Sequence, residues 1–155
     1  MHYRNGREAK NGDKIVKLGI SDGKHMTRPI ILVVDDEADA RSAIIGYLEL
    51  RFDCDFKEAC DGDEAVGFVK SNPCDVMLLD IKMPKKSGMV VIKEAKEINP
   101  KVDILVVSAW VSDDVAEEAS KLGAIDYAVK PLDLKVIEFK FKKILEKRGQ
   151  KVSKI

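Results

Sequence analysis

Five short apolar runs recur along residues 30–148, and each is followed by a segment of helical period. The runs cover 30–34, 54–58, 76–79, 104–107 and 125–129. Most are rich in Val, Ile and Leu without polar alternation, which suits strands buried on both faces of a parallel sheet. The run at 54–58 is the least apolar, as an edge strand would be. Between the runs, 39–50 aligns Ala40, Ile44, Tyr47 and Leu48 on one helical stripe, and 63–70 aligns Ala65, Val66 and Val69. The segment 87–98 aligns Val91, Ile92, Ala95 and Ile98. Asn72-Pro73 and Asn99-Pro100 end two of these helices. A fourth runs from Asp113, a cap candidate, to Gly123, and a fifth covers 134–147 behind Asp133. Strand and helix alternate five times, which predicts an α/β fold, a (βα)5 doubly wound parallel sheet with right-handed crossovers.

At 155 residues the chain is long enough for one domain with a full core and too short for two ordinary ones. Lys+Arg and Asp+Glu both number 27, so net charge gives no argument for nucleic acid or membrane binding. Three cysteines, Cys54, Cys60 and Cys74, have neither metal-ligand spacing nor a partner each, which points to a reducing compartment. No apolar run approaches the roughly 18 residues that span a bilayer, and no signal peptide is evident, so the cytoplasm is the expected location. Residues 1–29 carry seven basic against three acidic side chains and fit no part of the alternation. They read as a flexible N-terminal extension or cloning-derived leader, with a small hairpin conceivable at Asn5-Gly6 and Asn11-Gly12. Residues 149–155 read as a short tail.

The strands end in charge. The run at 30–34 delivers Asp35-Asp36, 76–79 delivers Asp80, and 125–129 delivers Lys130-Pro131. In a parallel sheet these ends share one edge, where open α/β sheets bind ligands. Two like charges about 4 Å apart repel by roughly 4 kcal/mol at an effective dielectric of 20, so three carboxylates together need a cation. An oxygen-only donor set with open positions suits Mg²⁺. Lys130 adds a point charge that can pair with Asp80 and later with phosphoryl oxygens. Ser108, ending another apolar run, can donate to a phosphoryl oxygen in the same cleft. His2 and His25 both lie in the N-terminal segment, so hydrolase triads find little support. A carboxylate nucleophile, a divalent cation, a lysine and a hydroxyl can together form an aspartyl-phosphate.

Asp35-Asp36, Asp80 followed by Met83-Pro84, Ser108-Ala109, and Tyr127 with Lys130-Pro131 resemble the receiver (CheY-like) domain of two-component response regulators over about residues 30–148. The resemblance implies a five-stranded flavodoxin-like sheet of order 2-1-3-4-5. It implies that Asp80 is the phosphoacceptor, taking its phosphoryl group from the phosphohistidine of a sensor histidine kinase or phosphotransfer protein. Asp35, Asp36, Asp80 and the backbone carbonyl of Lys82 are implied to hold Mg²⁺, and Lys130 to contact the phosphoryl group. Ser108 and Tyr127 resemble the switch pair, in which the hydroxyl moves to the phosphate and the ring turns inward. The bond before Pro131 is cis in that family. Two positions that vary across it, Lys82 and Trp110, flank the path of the hydrolytic water. A bulky Trp110, and a Lys82 with no carboxamide to orient water, predict slow autodephosphorylation.

The expected function is a phosphorylation-activated switch that controls an unknown downstream protein, a signalling receiver rather than an enzyme, although it catalyses its own phosphoryl transfer and hydrolysis. No output module is expected after residue 148, leaving either a stand-alone receiver or a piece of a larger regulator. Two alternatives stand beside this reading. One is a pseudo-receiver acting without phosphorylation, which the intact Asp80 and Lys130 disfavour. The other is an aspartyl-phosphate phosphatase, which wants a second Asp where Lys82 stands. Gly88 reads as a helix-start or turn glycine. In the last helix Leu134, Ile137, Phe141, Ile144 and Leu145 form the core stripe, whereas Val136 and Phe139 lie on a second face. An exposed Phe139 would want a partner, and a homodimer through this helix is one expectation.

Overall fold

The structure is a computed structural model that describes residues 28–83, 85–109 and 112–150. Five parallel strands alternate with five helices in the order β1 (Ile30–Val34), α1 (Ala38–Glu49), β2 (Asp55–Ala59), α2 (Gly62–Ser71), β3 (Val76–Leu79), α3 (Gly88–Ile98), β4 (Asp103–Ser108), α4 (Asp113–Leu122), β5 (Asp126–Val129) and α5 (Leu134–Lys147). The sheet order is β2-β1-β3-β4-β5, as the resemblance implies. The expectations for 1–27 and 151–155 lie outside the described residues. No helix among the described residues is long and apolar enough to cross a membrane.

Alternation of side chains along each strand sorts the core into two layers. Leu32, Val34, Met77, Leu79, Ile104 and Val106 face one side and pack with Ala65, Val66, Val69, Val91, Ile92, Ala95 and Ala119 of α2, α3 and α4. Ile31, Val33, Val76, Leu78, Leu105 and Val107 face the other side, against Ile44 and Leu48 of α1 and Ile137, Phe141, Ile144 and Leu145 of α5. Both faces of the inner strands are therefore dry, which is why their sequences run apolar without a break. Phe52 meets Phe141 edge-to-face with centroids 5.0 Å apart. Of the expected α5 stripe, Leu134 alone is only partly buried.

Several element ends differ from the sequence reading by about a residue, and two of the differences have clear local reasons. Strand β2 begins at Asp55, whose N–H donates to the carbonyl of Pro29, while the Cys54 carbonyl accepts from Arg28. Helix α4 is capped by Ser112, which accepts from the N–H of Val115, so Asp113 lies inside the first turn. Asp133 caps α5 and Gly123 ends α4 with φ of 119°, as expected.

At the sheet edge where the strands begin, Arg148 closes α5 onto the strands. Its guanidinium reaches Asp75 at 3.0 Å, Asp103 at 2.8 Å and the Lys101 carbonyl at 2.8 Å. Asp75 in turn accepts from the N–H of Ile30 at 2.8 Å.

Candidate functional site

In this strand order the chain leaves β1 toward β2 on one side and later returns to β3 on the other. The crevice at the carboxyl ends of β1 and β3 is the topological switch point, where open α/β sheets place ligands. Val34 and Leu79 are in register there, and the N–H of Asp80 donates to the Val34 carbonyl at 3.0 Å. Asp35 and Asp80 are consequently adjacent and buried, whereas Asp36 is exposed on the turn into α1. A carboxylate oxygen from each of Asp35, Asp36 and Asp80 lies within 4.8 Å of the others.

Lys130 reaches this cluster from the end of β5. Its ammonium lies 2.7 Å from Asp35 and 3.2 Å from Asp80, with Glu37 at 3.7 Å. Burial pulls the Lys130 pKa down, but the hydrogen bond it donates to Asp35 and the charges of Asp80 and Asp35 outweigh it and leave the pKa raised. The lysine therefore pairs more closely with Asp35 than with the Asp80 that its sequence position suggested. The Lys130-Pro131 bond is cis, as the resemblance implies.

Ser108, at 0% exposure, donates its hydroxyl to Asp80 Oδ1 at 2.9 Å, and the N–H of Lys82 donates to the same oxygen at 3.1 Å. Asp80 thus meets neutral donors on Oδ1 and the Lys130 cation on Oδ2. A cleft of about 490 Å³ opens over these groups, lined by Asp36, Glu37, Asp80, Lys82, Ser108 and Lys130, with Met83 and Ala109 at its apolar wall. Tyr127 stands apart from the cleft on β5, 42% exposed, so its ring faces solvent. Trp110 and Pro84 lie outside the described residues.

Gly88, the first residue of α3, makes the arrangement compact. A Cβ there would sit 2.4 Å from the Ile81 Cα, 2.9 Å from the Ile81 carbonyl oxygen and 3.0 Å from the Asp80 carbonyl oxygen. Only glycine lets α3 start so close behind Asp80.

Sequence reasoning missed two residues. Glu37 follows Asp35-Asp36 directly, and its N–H donates to Asp35 Oδ1 at 2.9 Å while its carboxylate faces Lys130. Arg41, in the first turns of α1, folds back onto the Asp35 carbonyl at 2.6 Å and onto Glu58 at 2.8 Å. Adjacency could have flagged Glu37. The Arg41 contact to Glu58 is non-local and left no local signal.

A second group, Cys60, Asp61 and Glu64, also places ligand atoms close together. Its donors are spent on the start of α2. Asp61 accepts from the Glu64 N–H at 2.9 Å and from Lys85 at 3.2 Å, and Glu64 accepts from the Cys60 N–H at 2.8 Å. This is a helix cap.

The three-carboxylate cluster is different. Its donor set is oxygen alone, and an ammonium already sits among the carboxylates as counter-cation, so its residues fit a hard dication such as Mg²⁺.

The family model of the response regulator receiver domain matches residues 31–151. The chain belongs to that family. Among curated relatives of this receiver, the transcriptional regulatory protein ZraR of Salmonella typhimurium is 35% identical over 115 residues, which is 74% of this chain and 26% of ZraR. The receiver thus spans about a quarter of that relative's length. The signal receiver domain of a LuxO-type repressor protein from Vibrio parahaemolyticus has a TM-score of 0.75 and 22% identity, covering 79% of this chain and 94% of that one, and shows the fold. A response regulator from Burkholderia pseudomallei, solved with a phosphorylated aspartic acid, a calcium ion and citrate, has a TM-score of 0.66 and 25% identity over 76% of this chain and 74% of that one.

Proposed function

We propose that this receiver is a phosphorylation-activated switch of a two-component system, with Asp80 as phosphoacceptor. The observation that carries the reading is the set of contacts on Asp80. It is a buried strand-end carboxylate bonded at once by Ser108, Lys82 and Lys130, beside the Asp35-Asp36 pair. A carboxylate oxygen of Asp80 attacks the phosphorus of a kinase or phosphotransfer phosphohistidine. The P–N bond breaks, and the imidazole leaves with its electron pair. Asp35, Asp36, Asp80 and the backbone carbonyl of Lys82 would hold Mg²⁺, which when bound neutralises charge on the phosphoryl oxygens. Lys130, already 3.2 Å from Asp80, contacts the phosphoryl oxygens as they arrive. The Ser108 hydroxyl exchanges its bond to Asp80 Oδ1 for one to the phosphoryl group, and the exposed Tyr127 ring turns in behind it. The phosphoryl group biases two arrangements that differ by a few kcal/mol through these new contacts.

The domain performs this chemistry on itself and serves signalling rather than substrate turnover. A cytoplasmic setting and an effector protein downstream go with the reading. Slow autodephosphorylation follows from Lys82 and Trp110 at the two variable positions, and an unchanged phosphoryl lifetime in Trp110→Ala would remove Trp110 from the account. Homodimerisation through α5 is a further part of the reading, supported by Phe139, which stands 63% exposed on that helix. Light scattering with and without beryllofluoride tests it, and a monomer in both states ends it.

The test of the main reading is incubation with acetyl phosphate and Mg²⁺ followed by intact mass. The expected result is a gain of one phosphoryl group that is lost in Asp80→Ala. No gain from any phosphodonor overturns the reading.

A further inference from the structure

Arg41 is a cation that the phosphoryl chemistry does not use, yet it is among the more enclosed charges of the domain, with a side chain only 15% exposed. Its guanidinium makes two contacts. Nη1 donates to the backbone carbonyl of Asp35 at 2.6 Å, and Nε donates to Glu58 Oε1 at 2.8 Å. Glu58 belongs to β2, and the next residue on that strand, Ala59, accepts the N–H of Asp35 at 3.2 Å. Asp35 is therefore fastened to the end of β2 on both sides, directly through its N–H and through Arg41 at its carbonyl.

The carbonyl in question belongs to the peptide that joins Asp35 to Asp36. That peptide unit is planar and moves as one piece. Rotating it swings the backbone from which both carboxylates project. A group that fixes its oxygen thereby fixes the mutual orientation of two of the three carboxylates in the cluster. We propose that Arg41, anchored by Glu58, is a positioning residue for the Asp35-Asp36 pair and sets the affinity of the acidic cluster for a divalent cation. This rests on reading that cluster as a Mg²⁺ site.

Charge alone predicts the opposite sign. A nearby guanidinium repels a dication, so deleting Arg41 would strengthen binding if electrostatics dominated. The ion pair with Glu58 offsets most of that field, which leaves orientation as the larger effect. Lysine at this position keeps the charge but cannot present the planar fork that serves a carbonyl and a carboxylate together. Partners that orient metal ligands are generally worth 10–100-fold in affinity, and Arg41 grips the main chain rather than the carboxylate, so roughly tenfold is expected.

The experiment is calorimetric titration of the unphosphorylated protein with Mg²⁺, for the wild type, Arg41→Lys, Arg41→Gln and Glu58→Gln, alongside thermal melts of each in EDTA. Both Arg41 variants are expected to bind Mg²⁺ about tenfold more weakly at temperatures where the melts show them folded. Glu58→Gln should weaken binding less, because Arg41 keeps its contact with Asp35. Wild-type affinity in Arg41→Lys, or tighter binding in Arg41→Gln, overturns the inference. Should the Arg41 variants fail to fold, wild-type affinity in Glu58→Gln overturns it as well. A wild type that binds no Mg²⁺ refutes the metal reading of the cluster itself, a result distinct from any difference among the variants.

Discussion

Replacing Asp36 by Asn removes one negative charge from a site where three carboxylates crowd together, and its effect on stability is expected to reverse sign when Mg²⁺ is added. Oxygens of Asp35, Asp36 and Asp80 lie within 4.8 Å of one another. At that separation and an effective dielectric of 20, each like-charge pair costs about 3.5 kcal/mol. Lys130 offsets Asp35 and Asp80, to which it is bonded, whereas Asp36 has no ion pair among the described residues. Asp36 is exposed, so solvent screens its share to about 1 kcal/mol. In EDTA, Asp36→Asn should therefore be more stable than wild type by about 1 kcal/mol. A ligand at 100 times its dissociation constant stabilises the folded state by about 2.7 kcal/mol, and the variant forfeits most of this. Urea unfolding with EDTA and with saturating Mg²⁺ should then show the two curves exchanging order. A variant less stable than wild type in EDTA would refute the crowding argument. A variant as responsive to Mg²⁺ as wild type would remove Asp36 from the metal site.

Burial pushes the thiols of Cys54 and Cys74 from 9.0 up to about 12. Above pH 9 the unfolded chain releases these protons while the folded protein keeps them, so stability should fall as pH rises from about 9 toward 12. Denaturant midpoints across that range should drop in the wild type and stay flatter in a Cys54→Val, Cys74→Val double variant; equal slopes count against the buried thiols as the cause. Gly88→Ala should be destabilised by about 1–3 kcal/mol, because its Cβ meets the backbone of Ile81 and Asp80, as overpacked cores are. Gly67→Ala, in the middle of α2 with nothing within 4 Å, should instead gain about 0.5–1 kcal/mol. Thermal melts that move both variants the same way would refute the steric reading.

Much of the fold was legible because burial on both faces leaves an unmistakable mark. Ile30–Val34 and Val76–Leu79 have no polar residue to confuse the period, and their bounds agree with the expectation to the residue. The edge strand β2 was harder, since Asp55, Lys57 and Glu58 dilute its signal, and its start shifted by one. The carboxylates of the site were legible because each stands at the end of such a run. Their partners were less so. Lys130 follows β5, a strand separated from β1 by two others, and only the reach of its side chain brings it closer to Asp35 than to Asp80. Arg41 sits in a helix whose stripe explained its apolar neighbours, and nothing in that period announces a guanidinium turned back toward a strand end. Contacts across elements of distant register are settled by the tertiary structure and leave no local pattern.

The bonds of Arg148 give α5 the mechanics of a lever. At 1.5 Å per residue, its 14 residues span about 21 Å from Lys147 to Leu134. The Arg148 end is fastened to Asp75, Asp103 and the Lys101 carbonyl, while the Leu134 end follows Lys130-Pro131, of which Lys130 lines the cleft over Asp80. With the fulcrum at the far edge of the sheet, a tilt of about 5° carries Leu134 by about 2 Å and leaves Lys147 nearly still. A helix pivoting about Arg148 would be displaced most beside the Asp80 cleft, and the buried Ile137 and Phe141 between the two ends would repack with it.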